Sequence, residues 1–141
     1  MKSVVKPGPF LVLFLVVFFL TSCSKKIDFP TSSVVPAAQG HVKVKKDSNR
    51  NFSIDVRIKN LAEPDRLRPS KELYIVWMET KGSGIKNLGQ LKITKDFLSN
   101  NLEGKLQAVS SFEPERVFIT AEDRADILTP GSLVVLKTRS F

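Results

Sequence analysis

The chain has 141 residues, one cysteine, one histidine and a formal charge of +8, from 22 Lys+Arg against 14 Asp+Glu. A lone cysteine excludes an internal disulfide, and a lone histidine beside it leaves no Cys/His set for a structural zinc site. The positive charges are interspersed with acids, and neither a C-x-x-C finger nor an aromatic-rich RNA-binding pattern accompanies them. A solvated surface drawn to anionic headgroups or envelope polymers is expected, with no nucleic-acid partner.

The chain opens with Lys2 and Lys6 ahead of an unbroken apolar block, Phe10 to Leu20, and then the small residues Thr21 and Ser22. This is the layout of a secretory signal. As a helix the block would rise only about 17 Å, against roughly 30 Å of bilayer hydrocarbon, so it does not read as a membrane span. Leu20-Thr21-Ser22-Cys23 resembles the lipobox of bacterial lipoproteins. The resemblance implies a diacylglycerol thioether on Cys23, cleavage between Ser22 and Cys23, and acylation of the new N-terminus. A thioether cannot ionise, so Cys23 is expected as an attachment point rather than a nucleophile. Two or three acyl chains would hold the protein firmly on a membrane. Ser24, standing where an aspartate would mark retention, resembles the outer-membrane address of Gram-negative lipoproteins. Lys25 and Lys26 lack the acids that go with surface export in some phyla, so the implied location is the periplasmic face of the outer membrane.

Cutting after Ser22 removes Lys2 and Lys6 and leaves 20 cationic against 14 acidic residues, a net +6 on a single domain's worth of chain. The expected organisation is a signal peptide over 1–22, a lipidated N-terminus and tether over 23–39, and a β domain over 40–141. The stretch SKKIDFPTSSVVPAAQ has two prolines, small polar residues and no period. As a tether it would reach about 50 Å stretched, or roughly 20–25 Å as a loose coil.

From residue 41 the pattern changes. His41 to Lys45 alternates, Asp47 to Asn51 carries hairpin-turn chemistry, and Phe52 to Lys59 alternates without a fault. Beyond Pro64 and Pro69, Leu73 to Met78 is apolar on both sides; Gly82-Ser83-Gly84 then turns the chain into a short strand over Asn87 to Ile93. Further strands are predicted over Lys105 to Ser110, Val117 to Ala121 and, after the Pro130-Gly131 turn, Leu133 to Thr138. One helical turn is expected within Thr94 to Asn101, capped by Thr94 or Asp96. About seven short strands predict an all-β fold, an antiparallel immunoglobulin-like β-sandwich.

YIVWMETKGSGIKNLGQLKI (74–93) and VFITAEDRADILTPGSLVVLKT (117–138) resemble the extracytoplasmic domain of anti-sigma-K-type regulators. Tyr74, Val76, Trp77, Leu88, Gly89, Leu91, Thr120, Glu122, Pro130 and Gly131 carry the likeness, which spans residues 40–141 and implies a fold, not a catalytic site. Those regulators join a cytoplasmic sigma-binding segment to the outer domain by a spanning helix. Lipidation at Cys23 would leave no such link, so sigma-factor inhibition is not carried over.

His41 has no second histidine or free thiol to work with and is expected as a surface residue. Glu63, Asp65, Glu72 and Glu79 invite a paired-carboxylate reading, but Arg66 and Arg68 offer neutralising partners and solvated loop charge is favoured. Asp123-Arg124-Ala125-Asp126 lacks the EF-hand spacing and reads as a loop; Asn51-Phe52-Ser53 is a sequon of little weight in a bacterial chain. No metal or cofactor is expected. If Leu73, Ile75 and Trp77 point inward, as the tryptophan of immunoglobulin strands does, then Tyr74, Val76 and Met78 form an outward apolar face. Either Phe97, Leu98 and Leu102 cover that face or a partner protein does. The expected function is a lipid-anchored envelope lipoprotein with a non-catalytic binding or sensing role, and the alternative is a structural accessory of an envelope complex.

Overall fold

Strict alternation builds the first sheet and a doubly apolar strand builds the second. The computed structural model describes residues 2–4 and 23–141; most of the expected signal peptide, including Leu20, Thr21 and Ser22 of the lipobox-like stretch, lies outside the described residues. The strands are β1 (Ser24–Asp28), β2 (Gln39–Lys46), β3 (Phe52–Leu61), β4 (Leu73–Thr80), β5 (Gly84–Gln90), β6 (Lys92–Lys95), β7 (Leu102–Ser110), β8 (Pro114–Glu122) and β9 (Val134–Lys137). All pairings are antiparallel, in one sheet ordered β1-β2-β3-β7-β6 and another ordered β5-β4-β8-β9. Setting β1 aside, consecutive strands pair as hairpins and the chain changes sheet after each, which is the immunoglobulin-type sandwich order.

The inner faces carry the alternation. Val42, Val44, Ile54, Val56 and Ile58 from the first sheet meet Tyr74, Val76, Met78, Val117 and Ile119 from the second in one buried cluster. Lys43, Lys45, Ser53, Arg57 and Lys59 take the other side and face water. The β2–β3 turn forms as its composition dictates: the Asp47 side chain accepts hydrogen bonds from the backbone N–H groups of Asn49 (2.8 Å) and Asn51 (2.9 Å).

Two expectations are corrected. Residues 24–39 are not a tether. Ser24 to Asp28 pair with Lys45 to His41 as β1, and the chain then crosses the open side of the sandwich with Phe29, Val35 and Ala38 buried in the core. Ser32 fastens this crossing, its hydroxyl donating to the Val135 carbonyl of β9 (2.5 Å) and accepting from the Val35 N–H (2.9 Å). The strand predicted over 87–93 is two, because the chain leaves one sheet for the other at Leu91, which is buried at the crossing and donates its N–H to the Tyr74 carbonyl (2.9 Å). The single turn expected within 94–101 forms between β6 and β7, closed by the Asn100 N–H on the Asp96 carbonyl (3.0 Å), the spacing of one helical turn. Asp96 caps it, its side chain accepting from the Leu98 N–H (3.2 Å) and the Ser99 hydroxyl (2.6 Å). Among the described residues the sole helical piece is the single 3₁₀ turn Pro64–Arg66.

Every buried apolar side chain of the described residues lies between Phe29 and Leu136, so the chain from Ser24 onward contains the whole core and all its strands as one folding unit. Phe29→Ala is expected to lower unfolding free energy by about 3 kcal/mol in urea titration. A neutral effect would mean that residues 24–39 are a free tether after all.

Candidate functional site: the Cys23 end and the two faces of β4

Cys23 is an exposed free thiol immediately ahead of β1. The residue after it is already in register, with Ser24 opposite Lys45. A cleft of about 240 Å³ opens beside it, between Val44, Phe52 and Phe141 on the apolar side and Lys25, Lys46, Lys81 and Glu113 on the charged side. Lys25 Nζ stands 5.4 Å from the centre of the Phe141 ring and Lys46 Nζ the same distance from that of Phe52.

The proposed outward face of Tyr74, Val76 and Met78 is turned the other way. All three are fully buried in the core between the sheets. The Tyr74 hydroxyl donates to the Ala62 carbonyl (2.8 Å), and burial pushes its phenol up to about 12. The outward residues of β4 are Ile75 and Trp77, which gather with Phe118 in a second cluster on the far side of that sheet. The rings of Trp77 and Phe118 stack with centroids 6.3 Å apart. Phe97 and Leu98, expected as a cover for β4, are 94% and 90% exposed on the β6–β7 turn, while Leu102 packs against the main core.

The true cover is the loop from Asp123 to Gly131, with Ile127 packed on the second cluster. A chain of polar contacts holds it. Trp77 Nε1 donates to the Thr120 hydroxyl (2.8 Å), Thr120 donates to Glu122 Oε1 (2.5 Å), and the same oxygen accepts the Gly131 N–H (2.7 Å). A Cβ on Gly131 would fall 2.6 Å from Glu122 Oε2, so a larger residue here would have to push that carboxylate aside. From the other side the Asn87 side chain donates to the Ile127 (2.9 Å) and Ala125 (3.2 Å) carbonyls. Its own oxygen accepts from Gly89, whose φ of +124° marks the irregular step in the β4–β5 ladder. Trp77, Thr120, Glu122 and Gly131 therefore meet at one place, where they close the second apolar face of β4.

The remaining candidates disperse. Glu72 and Glu79 stand at opposite ends of β4, roughly 23 Å apart at strand rise, which is too far for a catalytic pair. Glu63 pairs with Arg66 (2.9 Å), Lys71 with Asp123 (2.8 Å), and Arg124 with Asp126 (2.5 Å). Arg68 meets no carboxylate in any ion pair of the described residues, so it does not neutralise the cluster. Glu79 bridges Arg116 and Lys137, the latter at 3.0 Å, and Lys137 also lies over the Phe118 ring. Burial works against ionising Glu79, but the hydrogen bonds and charges of Lys137 and Arg116 outweigh it and hold its pKa below the ordinary 4.5. His41 is half-buried on the outer face of the first sheet, opposite Asp28 and Arg57. Its Nε2 is buried without a hydrogen-bond partner, and burial, with Lys26 and Lys43 beside it, lowers its pKa from 6.5. Among the described residues no three His, Cys, Asp or Glu side chains gather as a metal site requires.

Thr120→Val leaves both the indole N–H and the Glu122 carboxylate without their shared partner. It is expected to cost about 2 kcal/mol in urea titration and to speed amide exchange across residues 123–131. A stability unchanged from wild type would show that the polar chain does not hold the loop. The depressed pKa of Glu79 contributes stability that is fully present above the unfolded value of 4.5 and is lost as pH falls through the lower folded value. Glu79→Gln should therefore destabilise by about 1 kcal/mol at pH 7, after allowance for solvent screening, with the difference from wild type vanishing in acid. A difference that is the same at every pH would contradict the assignment.

Compared with protein-family models, with curated proteins and with solved structures, the chain finds no match in any of the three.

Proposed function

We propose that this chain is a lipid-anchored lipoprotein of the bacterial cell envelope, held by acyl chains on Cys23 and working through its surfaces rather than through chemistry. The observation that carries the reading is the exposure of Cys23 directly ahead of β1. A sulfur in that position can take a diacylglycerol group without disturbing the core, and the signal layout before it supplies the route to the membrane. Among the described residues no helix is long and apolar enough to cross a membrane. The reading therefore includes no sigma-factor inhibition, whatever the resemblance of the domain. The residue after the cysteine, Ser24, favours the periplasmic face of the outer membrane.

A second reading, a structural accessory within an envelope complex, is favoured by the exposed pair Phe97 and Leu98. Their turn adjoins the Leu61–Leu102 end of the first sheet, whereas Cys23 adjoins the Phe52–Ser110 end. The nine residues of β7 separate the two by roughly 27 Å, so the pair would face away from the anchoring membrane, toward other envelope proteins. Phe97→Ser with Leu98→Ser should then abolish co-purification with a larger complex while leaving the domain folded; an unchanged complex would remove this reading.

Growth of the producing cell with labelled palmitate, followed by intact-mass measurement, tests the anchor. Wild type should carry the label and the mass of a diacylglyceryl or triacylated Cys23, and Cys23→Ser should carry neither. A bare thiol at Cys23 in the mature protein would overturn the proposal.

A further inference from the structure

The absence of slack between Cys23 and β1 fixes more than the site of attachment. A lipid on Cys23 places that residue at the headgroup boundary, and Ser24 is already paired into the sheet. One residue spans at most about 3.6 Å, so the adjoining end of the sandwich can rise only a few ångströms above the headgroups.

We propose that this end of the sandwich is a docking surface for the anionic headgroups of the bilayer that holds the anchor; the inference rests on the lipoprotein reading above. The register sets out the end explicitly: Lys46, Phe52 and Ser110 form its last row in the first sheet, and the β2–β3 turn, Lys81 and Phe141 complete it. Its cations are Lys25, Lys45, Lys46, Arg50 and Lys81, against the acids Asp47, Glu113 and Glu115. Asp47 is engaged by the backbone N–H groups of its own turn and Glu113 by Lys81 at 3.0 Å, which leaves Glu115 as the one acid here against four cations. Among the described residues Lys25, Lys45, Lys46 and Arg50 are in no ion pair. The opposite end differs, since there Glu63–Arg66, Lys71–Asp123 and Arg124–Asp126 pair, and the unpaired cations Arg68 and Lys95 share the end with the acids Asp65, Glu72 and Asp96.

Unspent positive charge is thus concentrated at the end from which the chain reaches Cys23. Val109 and Phe112 beside it are 72% and 42% exposed, apolar side chains suited to the boundary between headgroups and acyl chains. Phosphate groups of an anionic bilayer complement this surface in charge, and the anchor delivers them at high local concentration. The acyl chains and the basic end then act together, so that the domain stands upright on the membrane with the β6–β7 turn outermost.

The test uses the unacylated chain Ser24–Phe141, which contains the complete core, sedimented with vesicles of phosphatidylcholine alone or with one third phosphatidylglycerol. The wild-type chain should bind the anionic vesicles, ignore the neutral ones, and be released by high salt. Lys25→Gln, Lys46→Gln and Arg50→Gln together should weaken binding about a hundredfold, at roughly fivefold per charge. Lys43→Gln, Lys59→Gln and Lys105→Gln, an equal loss of charge from the outer face of the first sheet, should change it by no more than about twofold. The proposal is overturned if the wild-type chain does not sediment with anionic vesicles, or if the two triple variants lose binding equally. Capture by a soluble anionic polysaccharide without vesicle binding would also overturn it. Thermal unfolding of both variants establishes that they fold. Because no acyl chain is present, the outcome is independent of the Cys23 mass measurement: a bare thiol would remove the anchor and leave the vesicle result standing, and the reverse holds equally.

Discussion

The pairing of β1 with β2, from Ser24 opposite Lys45 to Asp28 opposite His41, is the constraint on which the rest of this molecule depends. It converts the residues after Cys23 from a flexible lead into part of the sheet. It also sets the starting point for the crossing that buries Phe29, Val35 and Ala38 and closes one side of the sandwich against β9. Leu91 closes the other side where the chain changes sheet between β5 and β6. With both sides shut by short crossings, two sheets of ordinary alternating strands enclose a single core without a disulfide.

β4 is the strand that both layers need. Its inner residues Tyr74, Val76 and Met78 face the first sheet, and its outer residues Ile75 and Trp77 would be wet if the Asp123–Gly131 loop did not lie across them. Apolar packing alone would leave that loop free to slide. The run from the Trp77 indole through Thr120 and Glu122 to the Gly131 N–H fixes its position, since buried polar groups that lose a partner are costly. The face that carries the immunoglobulin-type tryptophan elsewhere is here the outer one, and the inner place is filled by a tyrosine whose hydroxyl reaches the Ala62 carbonyl at the rim.

Much of the architecture was legible wherever one face of a strand is wet. Phe52 to Lys59 alternates because β3 has water on one side, and its strand, its neighbour β2 and the turn between them follow from that. β1 was hidden for the opposite reason. SKKID offers one apolar residue to the core, Ile27, and the neighbour of Lys25 is Phe141 from the far end of the chain, a contact no local window contains. The orientation of β4 was unreadable from β4 itself, because a period of two carries no information when both phases are apolar. Its partner β8 held the answer: Thr120 and Glu122 share a face with Phe118, Val117 and Ile119 share the other, and the register sets Trp77 opposite Phe118. Phe97 and Leu98 were expected to be buried simply because they are apolar, yet apolar side chains on a turn tip are common and burial is not owed to them. The basic end was invisible in the sequence, where its charges come from residues 25 to 81 and are brought together only by the fold.

Amide hydrogen exchange over residues 24–28 tests the central claim most directly. If β1 is paired to β2 right up to Cys23, the hydrogen-bonded amides of this segment exchange slowly and in step with those of His41 to Lys45. Exchange at the rate of an unstructured peptide, beside a protected β2, would mean that the domain follows a loose tether, and neither its closed side nor the proposed stance on a membrane would survive.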